Sequence, residues 1–128
     1  MAKQEQKDRD LCSFVAEKVM GWHKERNSML GPAVWIEVKD GQRFGVLCSR
    51  WNPITDDGQA MAVLKYLSSR ESWEVNIRSH SRCSTVYLYH AVPCDEPERE
   101  KVECVEGTDA SLNRAIVLAA AKAFGWEG

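Results

Sequence analysis

Apolar residues recur with helical spacing over residues 8–22. Leu11, Val15, Val19 and Trp22 fall on one line, with Phe14 beside it. That pattern predicts an amphipathic helix with a broad apolar face. Residues 1–10 are polar and charged and read as a flexible N-terminal segment, so a single domain is expected over 11–126. Gly21 stands near the helix end, and residues 27–32 (N-S-M-L-G-P) read as the loop that follows. Val34, Ile36 and Val38 then alternate with Trp35 and Glu37. Beyond Asp40 and Gly41, Phe44, Val46 and Cys48 alternate again. This is a hairpin, because the tight turn needs residues that tolerate positive φ.

Residues 50–57 (R-W-N-P-I-T-D-D) interrupt the strand, since Pro53 removes a backbone donor and extends the residue before it. Thr55 or Asp56 is placed to cap a second helix, in which Ala60, Val63, Leu64 and Leu67 follow at i, i+3, i+4 and i+7 to about Ser69 or Arg70. Trp73, Val75 and Ile77 alternate with Glu74, Asn76 and Arg78. After a polar turn over residues 79–84, Val86 and Leu88 alternate with Thr85, Tyr87 and Tyr89. Residues 93–100 form a charged loop with two prolines, and a short strand is expected over 101–105. A helix over residues 109–124, capped by Thr108 or Asp109, closes the chain. Its alanines (115, 119, 120, 121 and 123) permit close approach to a sheet or another helix.

The order α-β-β-α-β-β-(β)-α predicts an α/β domain of the α+β kind, a layered sandwich of a mainly antiparallel sheet with three helices. The last two main strands carry aromatics on both faces. Either a sheet covered on both sides or an aromatic groove left open on one side accounts for that.

Composition narrows the function classes. A formal net charge of -2 argues against a general binder of nucleic-acid polymers, which usually shows a basic excess. No apolar run approaches the roughly 18 residues a membrane span requires. No apolar signal-peptide core is seen, so a cytoplasmic location is expected. The five cysteines (12, 48, 83, 94 and 104) lack zinc or redox-pair spacing and read as free thiols. The histidines at 23, 80 and 90 show no metal-ligand spacing, and neither a nucleophile elbow nor a glycine-rich phosphate loop is present. No catalytic residue, metal or cofactor is therefore assigned.

Several blocks together resemble the phage ABA-sandwich domain family, small proteins encoded in phages and prophages. V-A-E-K-V-M-G-W at residues 15–22 is similar to the family's opening helix. Asn52-Pro53-Ile54-Thr55-Asp56 resembles its N-P-S-T-D loop, and Trp73-Glu74-Val75 the strand that follows. A-S-L-N-R-A-I-V-L-A at 110–119 is similar to its alanine-rich closing helix. The matches are spread over most of the chain, from about residue 11 to residue 121. Ile54 stands where the family commonly has Ser, and residues 93–100 look like an insertion. The resemblance implies a layered fold and a phage origin, hence host cytoplasm; it supplies no activity.

Three segments are candidate sites. Trp51, flanked by Arg50 and Asn52 and followed by Thr55, has the chemistry to stack on a base and hydrogen-bond to it. The plainer reading is a helix start with Trp51 in the core. Arg70, Arg78, His80 and Arg82 surround one strand and its turn and offer charge for phosphates, with Tyr87 and Tyr89 as stacking surface. Against that stands an ordinary solvated face, with Glu71 and Glu74 as partners. Trp22-His23 reads as a packed Trp and a helix-capping His. The favoured reading is a non-catalytic phage accessory protein, in one version a sponge that sequesters a nucleotide signal of host antiphage immunity. Arg50, Arg78 and Arg82 would hold phosphates, and Trp51, Tyr87 and Tyr89 would stack on bases. Its partner would be a small nucleotide or a host defence protein, and a homo-oligomer is expected. The alternatives are a protein–protein inhibitory module using a Trp-rich surface, and a small nucleotide-processing enzyme with His80 or His90 as general base. Any pocket is expected where Trp51 and the Arg78–Arg82 turn meet Tyr87 and Tyr89.

Overall fold

The apolar line Leu11–Val15–Val19 does build a helix, in two conformations. A computed structural model describes residues 2–26, 31–70, 73–92 and 101–127. Helix α1 (Ala2–Phe14) continues into a π-helical turn, Val15–Val19, with Val15, Ala16 and Val19 buried. The helix thus takes in the residues read as a flexible arm. Met20 N–H donates to Val15 O at 2.9 Å, and Gly21 ends the helix at φ +72°. A left-handed residue is a common helix stop, and glycine carries no Cβ penalty there.

That stop launches a strand the sequence pattern does not disclose. β1 (His23–Arg26) pairs antiparallel with β2 (Ala33–Lys39), which pairs with β3 (Gln42–Leu47). The β2–β3 turn holds Asp40 and Gly41 at φ 53° and 78°, the conformation an Asp-Gly hairpin turn requires. After a 3₁₀ turn (Cys48–Arg50), α2 (Asp57–Arg70) begins. Its cap is Asp56, whose Oδ1 accepts from Gln59 N–H at 2.9 Å. β4 (Glu74–Ser79), β5 (Ser84–Val92) and β6 (Lys101–Asp109) follow as an antiparallel meander, and α3 (Leu112–Ala123) closes the fold.

The protein is therefore α+β, with antiparallel strands; among the described residues there are three α-helices, and the strands form two three-stranded sheets, β1-β2-β3 and β4-β5-β6. One sheet was expected. Because β1 completes the first hairpin's sheet, the two halves are separate. β6 runs through Asp109 rather than stopping near 105. The α3 cap is Ser111, not Thr108 or Asp109: its Oγ accepts from Arg114 N–H at 3.4 Å, while Asp109 Oδ1 accepts from Ser111 N–H. Thr108 stays in the sheet, hydrogen-bonded to Thr85. His23 lies in β1 against Glu25 and caps no helix. The loop expected at 27–32 falls mostly, and that at 93–100 wholly, outside the described residues.

α3 lies across β5 and β6 and also packs on α1 and α2. Val86, Leu88, Val63, Leu67, Ile116 and Val117 are completely or almost completely buried at this junction. The opposite face of the second sheet carries Glu74, Asn76, Arg78, Tyr87, Tyr89, Cys104 and Glu106, all exposed or half-buried. One side of this sheet is thus covered and one is open. In the first sheet the buried side belongs to Trp35, and Val34, Ile36 and Val38 look the other way.

Candidate functional site

The loop after β3 is held by backbone chemistry before any ligand is considered. Asn52 O accepts from Thr55 N–H and Asp56 N–H at 3.1 and 2.9 Å. Gln59 clamps it from α2: its Nε2 donates to Arg50 O at 2.7 Å, and its Oε1 accepts from Asn52 N–H at 2.6 Å. Pro53 and Ile54 are buried beneath. This turns Trp51 inward, where its ring meets Trp22 edge-on at 4.7 Å and its Nε1 donates to Cys12 O at 2.9 Å. Asn52 Oδ1 accepts from the Cys12 thiol at 3.7 Å. Burial is the main cause that pushes this thiol up to about 11.

A cleft of about 650 Å³ opens between this loop, α1 and the first sheet. That falls in the range of small-molecule sites, about 300–1,000 Å³. Trp35 and Trp51 line it, with Asn52, Thr55 and Cys12 beside them. Arg9, Lys24, Glu5 and Asp8 bring both signs of charge. Lys24 Nζ stands 5.4 Å from the Trp35 ring centre, a cation–π contact. Asp8 is paired with Arg114, and Arg9 faces Glu5 at 3.9 Å.

The residues expected to form one pocket divide into separate places. Trp51, Asn52 and Thr55 line the cleft; Arg78, His80, Arg82, Tyr87 and Tyr89 do not, and Arg50 is exposed outside it. The reason is topological: Trp51 folds back onto α1, whereas the tyrosines belong to the other sheet, on the side away from α3. There Arg78 lies over Tyr87 at 5.7 Å, and Tyr87 and Tyr89 stack at 6.3 Å. His80 and Arg82 are exposed in the β4–β5 turn. His90 stacks on Trp73 at 4.6 Å on the covered side. Nor is there a Trp-rich surface: Trp22, Trp35, Trp51 and Trp73 are each at most 8% exposed.

Nothing local in the sequence marks Arg9, Lys24 and Trp35 as cleft residues. Arg9 lay in the apparent arm and Lys24 in an unrecognised strand. Trp35 occupied the polar phase of an alternation whose other phase held three β-branched residues. Among the described residues, no three His, Cys, Asp or Glu gather as a metal site, and no helix is long and apolar enough to cross a membrane. What the fold and cleft define is an α+β domain with an aromatic-lined cavity. The chain matches no family model, no curated protein and no solved structure.

Proposed function

We propose that this protein is a non-catalytic binder of a small nucleotide, taken up in the cleft between α1, the first sheet and the Trp51 loop. The observation that carries the proposal is the pairing of two tryptophans with a rim of both charge signs. A nucleotide offers a flat ring for Trp35 and Trp51, hydroxyl or amine donors for Asp8 and Glu5, and phosphate for Lys24 and Arg9. Purely anionic ligands fit less well, because the carboxylates would repel them. The phage ABA-sandwich resemblance supports a role as a phage accessory protein in the host cytoplasm, with sequestration of an immune signalling nucleotide as its concrete form.

The test mixes purified protein with linear and cyclic nucleotides, separates bound from free, and recovers the ligand after heat denaturation. Intact ligand is expected, with binding weakened by Lys24→Ala and Arg9→Ala. Converted ligand would make the protein an enzyme, and no depletion of free ligand at micromolar protein removes the proposal. A second reading, a protein–protein inhibitory module, draws on Val38 and Phe44. These residues near the tip of the β2–β3 hairpin are 61% and 50% exposed.

A further inference from the structure

β4 is the edge strand of the second sheet, paired on one side with β5 and, among the described residues, with no strand on the other. The phase of its hydrogen bonds follows from the turn. His80 N–H donates to Cys83 O at 2.8 Å, and the register continues through Ser79↔Ser84 and Arg78↔Thr85. Hydrogen-bonded and non-hydrogen-bonded pairs alternate along an antiparallel ladder. The backbone groups of Glu74, Asn76 and Arg78 therefore face β5, and those of Val75, Ile77 and Ser79 face outward. Ile77 is 40% exposed, and Met61, 47% exposed, lines the groove between α2 and this edge together with Leu64, Trp73 and Val75. Open edges of this kind are usually blunted or paired.

The geometry points to the β4 edge as a homodimer interface, in which two copies pair antiparallel about a twofold axis through Asn76. This register satisfies three independent conditions. Outward backbone groups meet outward groups, because Val75 stands opposite the partner's Ile77. Glu74 stands opposite the partner's Arg78, and the same pair recurs across the axis, on non-hydrogen-bonded sites where side chains lie closest. The exposed Ile77 side chain lands beside the partner's Val75 and the groove next to it, where Lys65, Ser68 and Glu74 stand beside the apolar residues. A register shifted by two residues keeps the backbone phase but sets Asn76 against Arg78, losing both charge pairs. The other edges lack this self-complementarity: β1 is four residues long and its one acidic residue, Glu25, is already paired with His23 and Arg43. β3 has no acidic residue, and β6 carries Glu103, Glu106 and Asp109 against a single Lys101. An extended peptide would also find this edge, but the reciprocal Glu74–Arg78 match is specific to a second copy. The interface does not depend on what the cleft binds.

The full chain is expected to sediment as a dimer that dissociates on dilution. Glu74→Arg and Arg78→Glu each set like charges opposite one another twice per dimer and raise the dimer Kd by about tenfold or more. The double variant Glu74→Arg/Arg78→Glu restores the dimer. Both side chains are exposed, and circular dichroism checks that each variant is folded. Asn76→Cys is a second, fold-independent reading. Facing Cα atoms at a non-hydrogen-bonded site lie about 4.5 Å apart, within the roughly 4.4–6.8 Å a disulfide spans. In a Cys104→Ser background, Asn76→Cys is expected to cross-link under mild oxidation and Glu74→Cys is not. A monomer at all concentrations, a dimer indifferent to charge reversal, or a double variant that stays dissociated would each overturn the assignment.

Discussion

Replacing Gly107 with alanine probes the seat of α3 on the second sheet. Gly107 is buried in β6, and a Cβ there would collide with Ala115 O and Ala119 N. Both are backbone atoms of α3, so no side chain can swing aside. Its φ lies outside the left-handed region, so the backbone accepts alanine and the whole cost is steric. Relief requires the helix to lift by about 1 Å, and a gap of that size forfeits a quarter or more of each contact's well depth. A large buried side chain makes about 40 contacts of ~0.15 kcal/mol each. If half face the sheet, each such side chain loses about 0.75 kcal/mol, and the alanines lose less. Over Ile116, Val117 and the buried alanines the sum is about 2–3 kcal/mol, reduced by ~0.5 kcal/mol for the stiffer unfolded chain.

Unfolding entropy near roughly 2.1 cal/mol/K per residue gives about 0.27 kcal/mol/K for this 128-residue chain. Gly107→Ala should therefore lower the Tm by about 6–9 °C, read by circular dichroism melting with urea titration as a check. Gly58→Ala is the comparison, since its methyl meets only the exposed Asp56 carboxylate, at 3.3 Å. It should change stability by less than about 1 kcal/mol. If the two variants melt within about 3 °C of each other, α3 does not rest on Gly107 as described.

Two further perturbations test the Trp51 corner. The Cys12 thiol, pushed by burial from 9.0 to about 11, should react with a thiolate-selective disulfide reagent far more slowly at neutral pH than the exposed Cys104. Its raised value means that the folded state keeps the proton longer than the unfolded state. The associated stability is complete below pH 9 and is lost as pH rises toward about 11. The urea-midpoint difference between wild type and Cys12→Ala should shrink across that window, and equal labelling rates for Cys12 and Cys104 would contradict the burial. Trp51→Phe removes the Nε1 donor from Cys12 O and part of the contact with Trp22, and should cost about 2 kcal/mol in urea unfolding. A loss below about 0.5 kcal/mol would mean that this hydrogen bond is not sealed from water.

What could be read in the sequence follows from how local each signal is. The Asp40-Gly41 hairpin, the Asp56 cap and the alternation through Tyr87 and Tyr89 depend on a few neighbouring residues, and the structure has all three. The π-turn at Val15–Val19 leaves no periodic mark. It advances the backbone by part of a turn, so that Gly21 can release Trp22 into the core and start β1 at once. Without β1 in view, His23 reads as a helix cap, the hairpin looks like part of one larger sheet, and Lys24 cannot be placed near Trp35. The cleft depends on that unseen strand, because α1, β1 and the Trp51 loop come together only in three dimensions. That Arg78 neighbours Tyr87 is legible because the β4–β5 register is local, whereas the relation of this face to Trp51 is a long-range matter that no spacing encodes. That same local register makes the edge pairing calculable. Once the turn fixes which β4 backbone groups face outward, Glu74 and Arg78, two residues either side of Asn76, define a self-complementary strand. The two places are therefore separate: the cleft lies on the first sheet's side of α1, while the proposed pairing uses the β4 edge of the second sheet, which no strand covers among the described residues.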